Sequence, residues 1–470
     1  MSEDRTRGLV PQDPSALSVT SRLAERTLAE RAERTAVIAG SGRTLVVGPG
    51  GYPTIGEAVA EARDGDTVLV RPGTYRETVT ITRAITLRGD GDRGEIVVEA
   101  EGVPCLVLQE TTAHVTRLTI RKGGSGDGGI LVVGGAPTLT GLDLVESRGI
   151  VVGGRGSPSI RRNTIHDGQS GGIHVYEGAA GTIEGNEIFG NVLHGITVSG
   201  EGTAPTIRRN AIRDGQSGGI HVYDGAAGRI EGNEIFGNAF GGITVSGEGT
   251  NPIIRRNTIR DGQRAGIWVN DGAAGTIEDN EIFGNAFVGI VVKDRGTNPI
   301  VRRNTIRDGQ GGIWVNDGAA GTIEDNEIFG NADLGIAVSG EGTAPTIRRN
   351  TIRNGQGSGI TVLQGATGTI DDNEIVGNAL SGIAVWGEGT APIIRRNTIR
   401  DGHGSGITVL QGATGTIEDN EIWANAGRGI LVSNVGTAPA VLRNRVFSNA
   451  RQDVVVSDDA TPFLDGNRQQ

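Results

Sequence analysis

The chain has 470 residues, 80 of them glycine and only 3% aromatic, with a formal net charge of −11. That balance offers no electrostatic footprint for nucleic acid or anionic lipid, and a lone Cys105 excludes an internal disulfide framework. No apolar run approaches a membrane span or a signal-peptide core, so the expected location is the cytoplasm.

Residues 1 to about 13 carry no periodic pattern. From Ser15 to Ile38 the spacing of Leu, Ala and Val among Glu and Arg predicts a helix, ended by Gly40 to Gly42. Thr44 to Val47 reads as a strand. A short helix follows from Thr54 to Ala62, with Thr54 as N-cap and Glu57 three residues on to complete a capping box. Thr67–Val70, Glu77–Ile81 and Ile85–Leu87 alternate as strands.

The segment running from Tyr52-Pro53-Thr54-Ile55, through Gly73-Thr74-Tyr75-Arg76-Glu77, to Leu87-Arg88-Gly89-Asp90-Gly91 resembles the start of pectinesterase-like and copper-periplasmic-protein-like right-handed parallel β-helices. The resemblance implies that the helix plugs the N-terminal end of a coil stack. It covers about residues 45 to 91 in detail, and beyond them the chain is similar to generic β-helix repeats of carbohydrate-binding and sugar-hydrolase domains.

From Arg93 to Leu144 the pattern is irregular. After Gly149 it is strict: Gly-Ile-x-Val, a turn, then x-Ile-x-x-Asn-x-Ile. The asparagine falls at Asn163, Asn186, Asn210, Asn233 and onward to Asn444, with a last unpaired copy at Asn467; 467 − 163 = 304 residues in 13 intervals is one per 23 residues. A period this short means a solenoid. Period-two alternation sends Ile173 and Val175 inward, and repeats running in one direction pair in parallel with right-handed crossovers. The expected fold is an all-β, single-stranded right-handed parallel β-helix with an N-terminal capping helix. Its expected divisions are 1–43 (tail and helix), 44–92 (cap and first strands) and 93–470 (coils).

The asparagines read as a structural ladder at a corner of the coil. Two residues before them the sign alternates (Arg161, Glu184, Arg208, Glu231, Arg255, Glu278), which places each cation between two anions and opposes slippage by one coil. Three residues after them Arg213, Phe236, Arg260, Phe283, Arg307 and Phe329 alternate, as for guanidinium over ring contacts.

Function is sought on the outward residues of Gly-Ile-x-Val. That strip carries His174, Tyr176, His221, Tyr223, Trp268, Trp314 and Trp386, with Glu177 and Asp224 in the following turns. Outward rings stack on sugars or anchor a protein partner. The histidines and acids recur from copy to copy instead of forming one convergent set, and the Gln-rich and Asp-Phe active-site motifs of pectinesterases have no match. The leading expectation is therefore a noncatalytic scaffold binding a protein or glycan through this strip, with no cofactor, metal or membrane. One alternative is a polysaccharide-active lyase, epimerase or hydrolase, in which His174 with Glu177, or His221 with Asp224, supplies acid–base pairs. A weaker one is an acidic rod imitating DNA. The C-terminal coil, from Asp453 to Leu464, has no helix after it and predicts end-to-end self-association or partner docking.

Overall fold

The computed structural model describes residues 42–122 and 128–469. The longer helix expected between Ser15 and Ile38 lies outside the described residues. The chain winds as a right-handed solenoid whose strands form three parallel sheets of 19, 17 and 18 strands. Each strand pairs with its equivalents one coil before and one coil after. We name the sheets by their residues. The Arg/Glu sheet holds Ser159–Arg161 and Thr182–Glu184, the Glu/Phe sheet holds Thr164–His166 and Glu187–Phe189, and the Gly-Ile sheet holds Ile173–Val175 and Ile196–Ser199. With coils stacked about 4.8 Å apart, the rod is roughly 85 Å long.

The core follows from the alternation. One isoleucine or valine in each strand of the Arg/Glu and Glu/Phe sheets, and two in each Gly-Ile strand, point inward, and in register these residues form continuous stacks: Ile183 faces Ile160 and Ile207, Ile188 faces Ile165 and Ile212, and Ile196 faces Ile173 and Ile220. All are at most 2% exposed. The glycine before each Gly-Ile strand is demanded by this packing, because a Cβ on Gly219 would sit 2.5 Å from Ile235 Cγ2 and 2.6 Å from the Gly242 carbonyl.

Helix α1 spans Ile55–Glu61 and buries Ile55, Ala58 and Val59. Thr54 Oγ1 accepts the Glu57 N–H at 3.1 Å, so the expected N-cap is present. The carboxylate that takes the other free N–H groups comes from elsewhere. Glu77, the acid of the Gly-x-Tyr-x-Glu segment, accepts from Ile55 and Gly56, both at 2.8 Å, so the resemblance segment ties the helix to the first coils. Two strand expectations change here. Gly73–Arg76 is a strand, paired with Ile96–Glu99, and the next strand begins only at Val79 because Glu77 has left the ladder to cap the helix.

The stretch from Arg93 to Leu144 is irregular in sequence but not in structure. Leu106 lies in register with Val79 on one side and Ile130 on the other, and Leu139 pairs with Val115 and Ile160. Leu and Val fill the columns that Ile fills later, so the coil persists without the motif. Among the described residues, no helix is long and apolar enough to cross a membrane.

The asparagine ladder is continuous. Oδ1 of each rung accepts both the backbone N–H and the Nδ2–H of the rung before, as in Asn233 to Asn257 and Asn257 to Asn280, all at 3.0 Å. The rungs from Asn163 to Asn444 are at most 2% exposed. A second ladder on alternate coils went unread in the sequence: Asn191, Asn238, Asn285 and their successors accept from Gly168, Gly215 and Gly262.

The ionic column is one-sided, contrary to the expected sandwich. Glu184, Glu278 and Glu324 pair with Arg208, Arg302 and Arg348 of the next coil at 3.0, 2.8 and 2.7 Å. The second arginine of that next coil also reaches back, Arg303 to Glu278 and Arg349 to Glu324. Those second arginines sit at positive φ, +53° and +54°. The guanidinium–ring column is as expected, with Arg213, Arg260, Arg307 and Arg353 each 4.1–4.2 Å above the phenylalanine of the coil before.

Candidate functional site

Strand pairing sets the outward strip in one line. His174 lies against Thr197, Thr197 against His221, His221 against Thr244, Thr244 against Trp268, Trp268 against Val291 and Val291 against Trp314. Rings therefore recur every second coil, about 9.6 Å apart at strand spacing, with a small residue between.

The histidine end is internally satisfied. His174 stacks on Tyr176 and His221 on Tyr223, with ring centroids at 5.1 and 4.6 Å. Nε2 of each is hydrogen-bonded to a serine hydroxyl two residues beyond the intervening threonine, Ser199 at 3.1 Å and Ser246 at 3.0 Å. His194, from the corner before the strand, brings its ring 4.9 Å from His221. Burial pushes His174 and His194 below the ordinary histidine range, and burial together with the neighbouring His194 pushes His221 down to about 4. Glu177 and Asp224 are not their partners. Both are exposed turn residues at positive φ, and Glu177 accepts the Gly154 N–H at 3.4 Å. The acid–base pairs weighed from sequence spacing do not form: each acid sits in the exposed turn, while each imidazole is engaged by a tyrosine ring and a serine hydroxyl.

The tryptophan end has a different shape. Trp268 and Trp314 are half-buried and Trp386 is 41% exposed, in the neighbouring column. Trp314 donates its Nε1–H to Ser339 Oγ at 2.9 Å and meets Phe287 edge-on at 5.8 Å. Beside it opens a cavity of about 340 Å³, walled by Phe287, Trp314, Leu334 and Leu363, with Gln310 and Asp333 at its mouth. The strip is not uniformly outward in the sense of being accessible. Val291, Ala337 and Thr361 are 1%, 6% and 4% exposed, and the first two lie in register on either side of Trp314.

Sequence reasoning missed the corner before the Gly-Ile strand, although two signals mark it. Two residues after the second asparagine ladder stand Leu193, Phe240, Phe287, Asp333 and Leu380, an apolar column with one acid in it. The coil from Asn304 to Asn326 is 22 residues long where its equivalents, such as Asn257 to Asn280, are 23. Gln310-Gly311-Gly312 replaces Gln216-Ser217-Gly218-Gly219, and the missing residue falls at the cavity. Among the described residues, no group of three or more His, Cys, Asp or Glu side chains converges as for a metal ion.

These features define a right-handed parallel β-solenoid with a ring-bearing face along one sheet. Three overlapping segments, residues 102–259, 248–393 and 335–468, match the family described as a right handed beta helix region, and the chain belongs to that family. Among solved structures it is similar to a double mutant of the periplasmic alginate epimerase AlgG, at 14% identity and TM-score 0.40 over 73% of this chain and 77% of that one. It is also similar to the A-module of the Azotobacter vinelandii mannuronan C-5 epimerase AlgE6, at 14% identity and TM-score 0.37 over 88% and 93%. A third likeness is to the catalytic unit of a GH87 alpha-1,3-glucanase from Streptomyces thermodiastaticus, at 16% identity and TM-score 0.34 over 92% and 70%.

Proposed function

We propose that this chain is a noncatalytic β-helical scaffold that binds an extended glycan along its Gly-Ile face. The observation that carries the reading is the row His174, His221, Trp268 and Trp314, one ring per two coils with Thr197, Thr244 and Val291 between. Spaced ring faces, with a threonine hydroxyl in two of the three gaps, suit a ligand that itself alternates apolar ring faces with hydroxyl groups, whereas a protein partner is better held by a contiguous apolar patch. Binding is favoured over turnover because the strip's polar groups are spread along the rod, and its histidines are engaged with serine hydroxyls instead of carboxylates.

The test is retention on a panel of immobilised neutral, amino and acidic polysaccharides, with product release followed in the same samples. At least one polysaccharide retards the protein without being cut, and Trp268→Ala combined with Trp314→Ala abolishes the retardation. Unchanged retention in that double variant, or cleavage of a bound polymer, would sink the reading.

A further inference from the structure

We infer that the cavity beside Trp314 is an anchoring subsite for a single sugar ring that carries no negative charge, a neutral or amine-bearing pyranose rather than a uronate. The inference rests on the glycan reading above and adds where the chain is held and which sugars are admitted.

Three observations converge on this one place. First, the cavity is where the repeat is broken: the coil from Asn304 to Asn326 lacks one corner residue, and Phe287 of the coil before and Leu334 of the coil after are left as facing walls. Its volume, about 340 Å³, lies at the low end of small-molecule sites. That suits one ring better than several. Second, the floor is pre-arranged. The Trp314 Nε1–H is already bonded to Ser339 and its edge is held against Phe287, so the indole is oriented before any ligand arrives. An oriented indole in a pocket walled also by Phe287, Leu334 and Leu363 offers a π-face for the axial C–H face of a pyranose. Third, the polar groups at the mouth are selective in sign. Asp333 is the one acid in a column that otherwise reads Leu193, Phe240, Phe287 and Leu380, and it is exposed. Gln310 adds an amide, and no lysine, arginine or histidine lines the cavity. Carboxylate and amide together accept from and donate to sugar hydroxyls and attract an amine, while a uronate carboxylate meets a like charge with no cation to offset it.

The experiment measures affinity for three hexasaccharides, glucosamine, N-acetylglucosamine and mannuronate, by calorimetry and tryptophan fluorescence. It compares the unaltered protein with a variant carrying one serine inserted between Gln310 and Gly311. The insertion recreates the Gln-Ser-Gly-Gly corner that this chain already folds at Gln216 to Gly219, so the coil is expected to form and only the cavity to close. Glucosamine or N-acetylglucosamine oligomers bind at least tenfold tighter than mannuronate, and the insertion and Trp314→Ala each weaken the better ligand at least tenfold. Asp333→Asn narrows the gap between glucosamine and mannuronate without lowering N-acetylglucosamine affinity. Mannuronate binding as tightly as the other two overturns the inference, and so does an insertion variant that binds like the parent. If a glycan binds and needs Trp268 but ignores the insertion, the subsite alone falls. If none of the sugars binds the unaltered protein, the subsite and the glycan reading fall together.

Discussion

Replacing one rung of the asparagine ladder, Asn257→Ala, is the most direct test of what holds the rod together. In the native coil Asn257 Nδ2 donates to the Ile230 carbonyl at 3.0 Å, the Arg255 carbonyl at 3.1 Å and Asn280 Oδ1 at 3.0 Å. Its Oδ1 accepts the backbone N–H and Nδ2–H of Asn233, both at 3.0 Å. Alanine deletes all five. Asn233 Nδ2 keeps the Ile207 and Glu231 carbonyls, but the backbone N–H of Asn233, in a residue 1% exposed, is left without its acceptor. An orphaned buried donor costs about 1–3 kcal/mol, and each further bond lost adds about 0.5–1.5 kcal/mol, so a loss of about 3–4 kcal/mol is expected after allowing for partial overlap. A solenoid opens locally, so the cost concentrates at the neighbouring coils. The assay is amide hydrogen exchange at Asn233 together with urea unfolding, and Asn467→Ala is the control. That last rung is part-exposed, accepts from Asn444 and donates to the Val441 carbonyl; alanine there deletes three bonds instead of five, and water can replace part of them, so a smaller loss of about 2 kcal/mol is expected. A cost below about 1 kcal/mol for Asn257→Ala, or unchanged exchange at Asn233, would refute the ladder argument.

Two further outcomes follow from the same geometry. Glu77→Ala removes the acceptor of the Ile55 and Gly56 N–H groups, so exchange at those two amides accelerates by the equivalent of about 1–2 kcal/mol, and unchanged rates would show that the carboxylate is dispensable. His221 has its folded pKa pushed down to about 4, whereas the unfolded side chain titrates near 6.5. Between those values the unfolded chain takes up the proton and the folded one does not, so stability is fully present above about pH 6.5 and falls as the pH drops toward 4. The urea midpoint of the parent therefore declines from pH 7.5 to pH 5.5 more steeply than that of His221→Gln, and equal slopes would count against burial as the cause.

Much of the fold was legible because the relevant information is periodic and local. Alternation at Gly-Ile-x-Val assigns Ile173 and Val175 to the interior whatever the next coil contains, and the 23-residue recurrence of Asn163 to Asn467 implies stacking in register. The guanidinium–ring column was readable for the same reason: Arg260 and Phe236 occupy one column in consecutive coils. The core of the irregular stretch, from Ile96 to Leu144, was less readable because Leu, Val and Cys105 share the work of the later isoleucines.

The sequence by itself determined the winding, its period, the parallel register and which residue of each strand points outward. Only the tertiary structure decided which outward residues remain reachable, since exposure depends on which side chains come to lie around a residue once the coils are stacked. Thus Val291, Ala337 and Thr361 are covered while Trp386 stands clear. It also decided that Glu77 and not Glu57 supplies the capping carboxylate, and that acids such as Glu278 and Glu324 pair with the arginines of the following coil alone. The cavity beside Trp314 depends on both levels. A one-residue deletion marks it in the chain, but it opens only where the shortened corner comes to lie between Phe287 and Leu334, and that juxtaposition exists only once the coils are stacked.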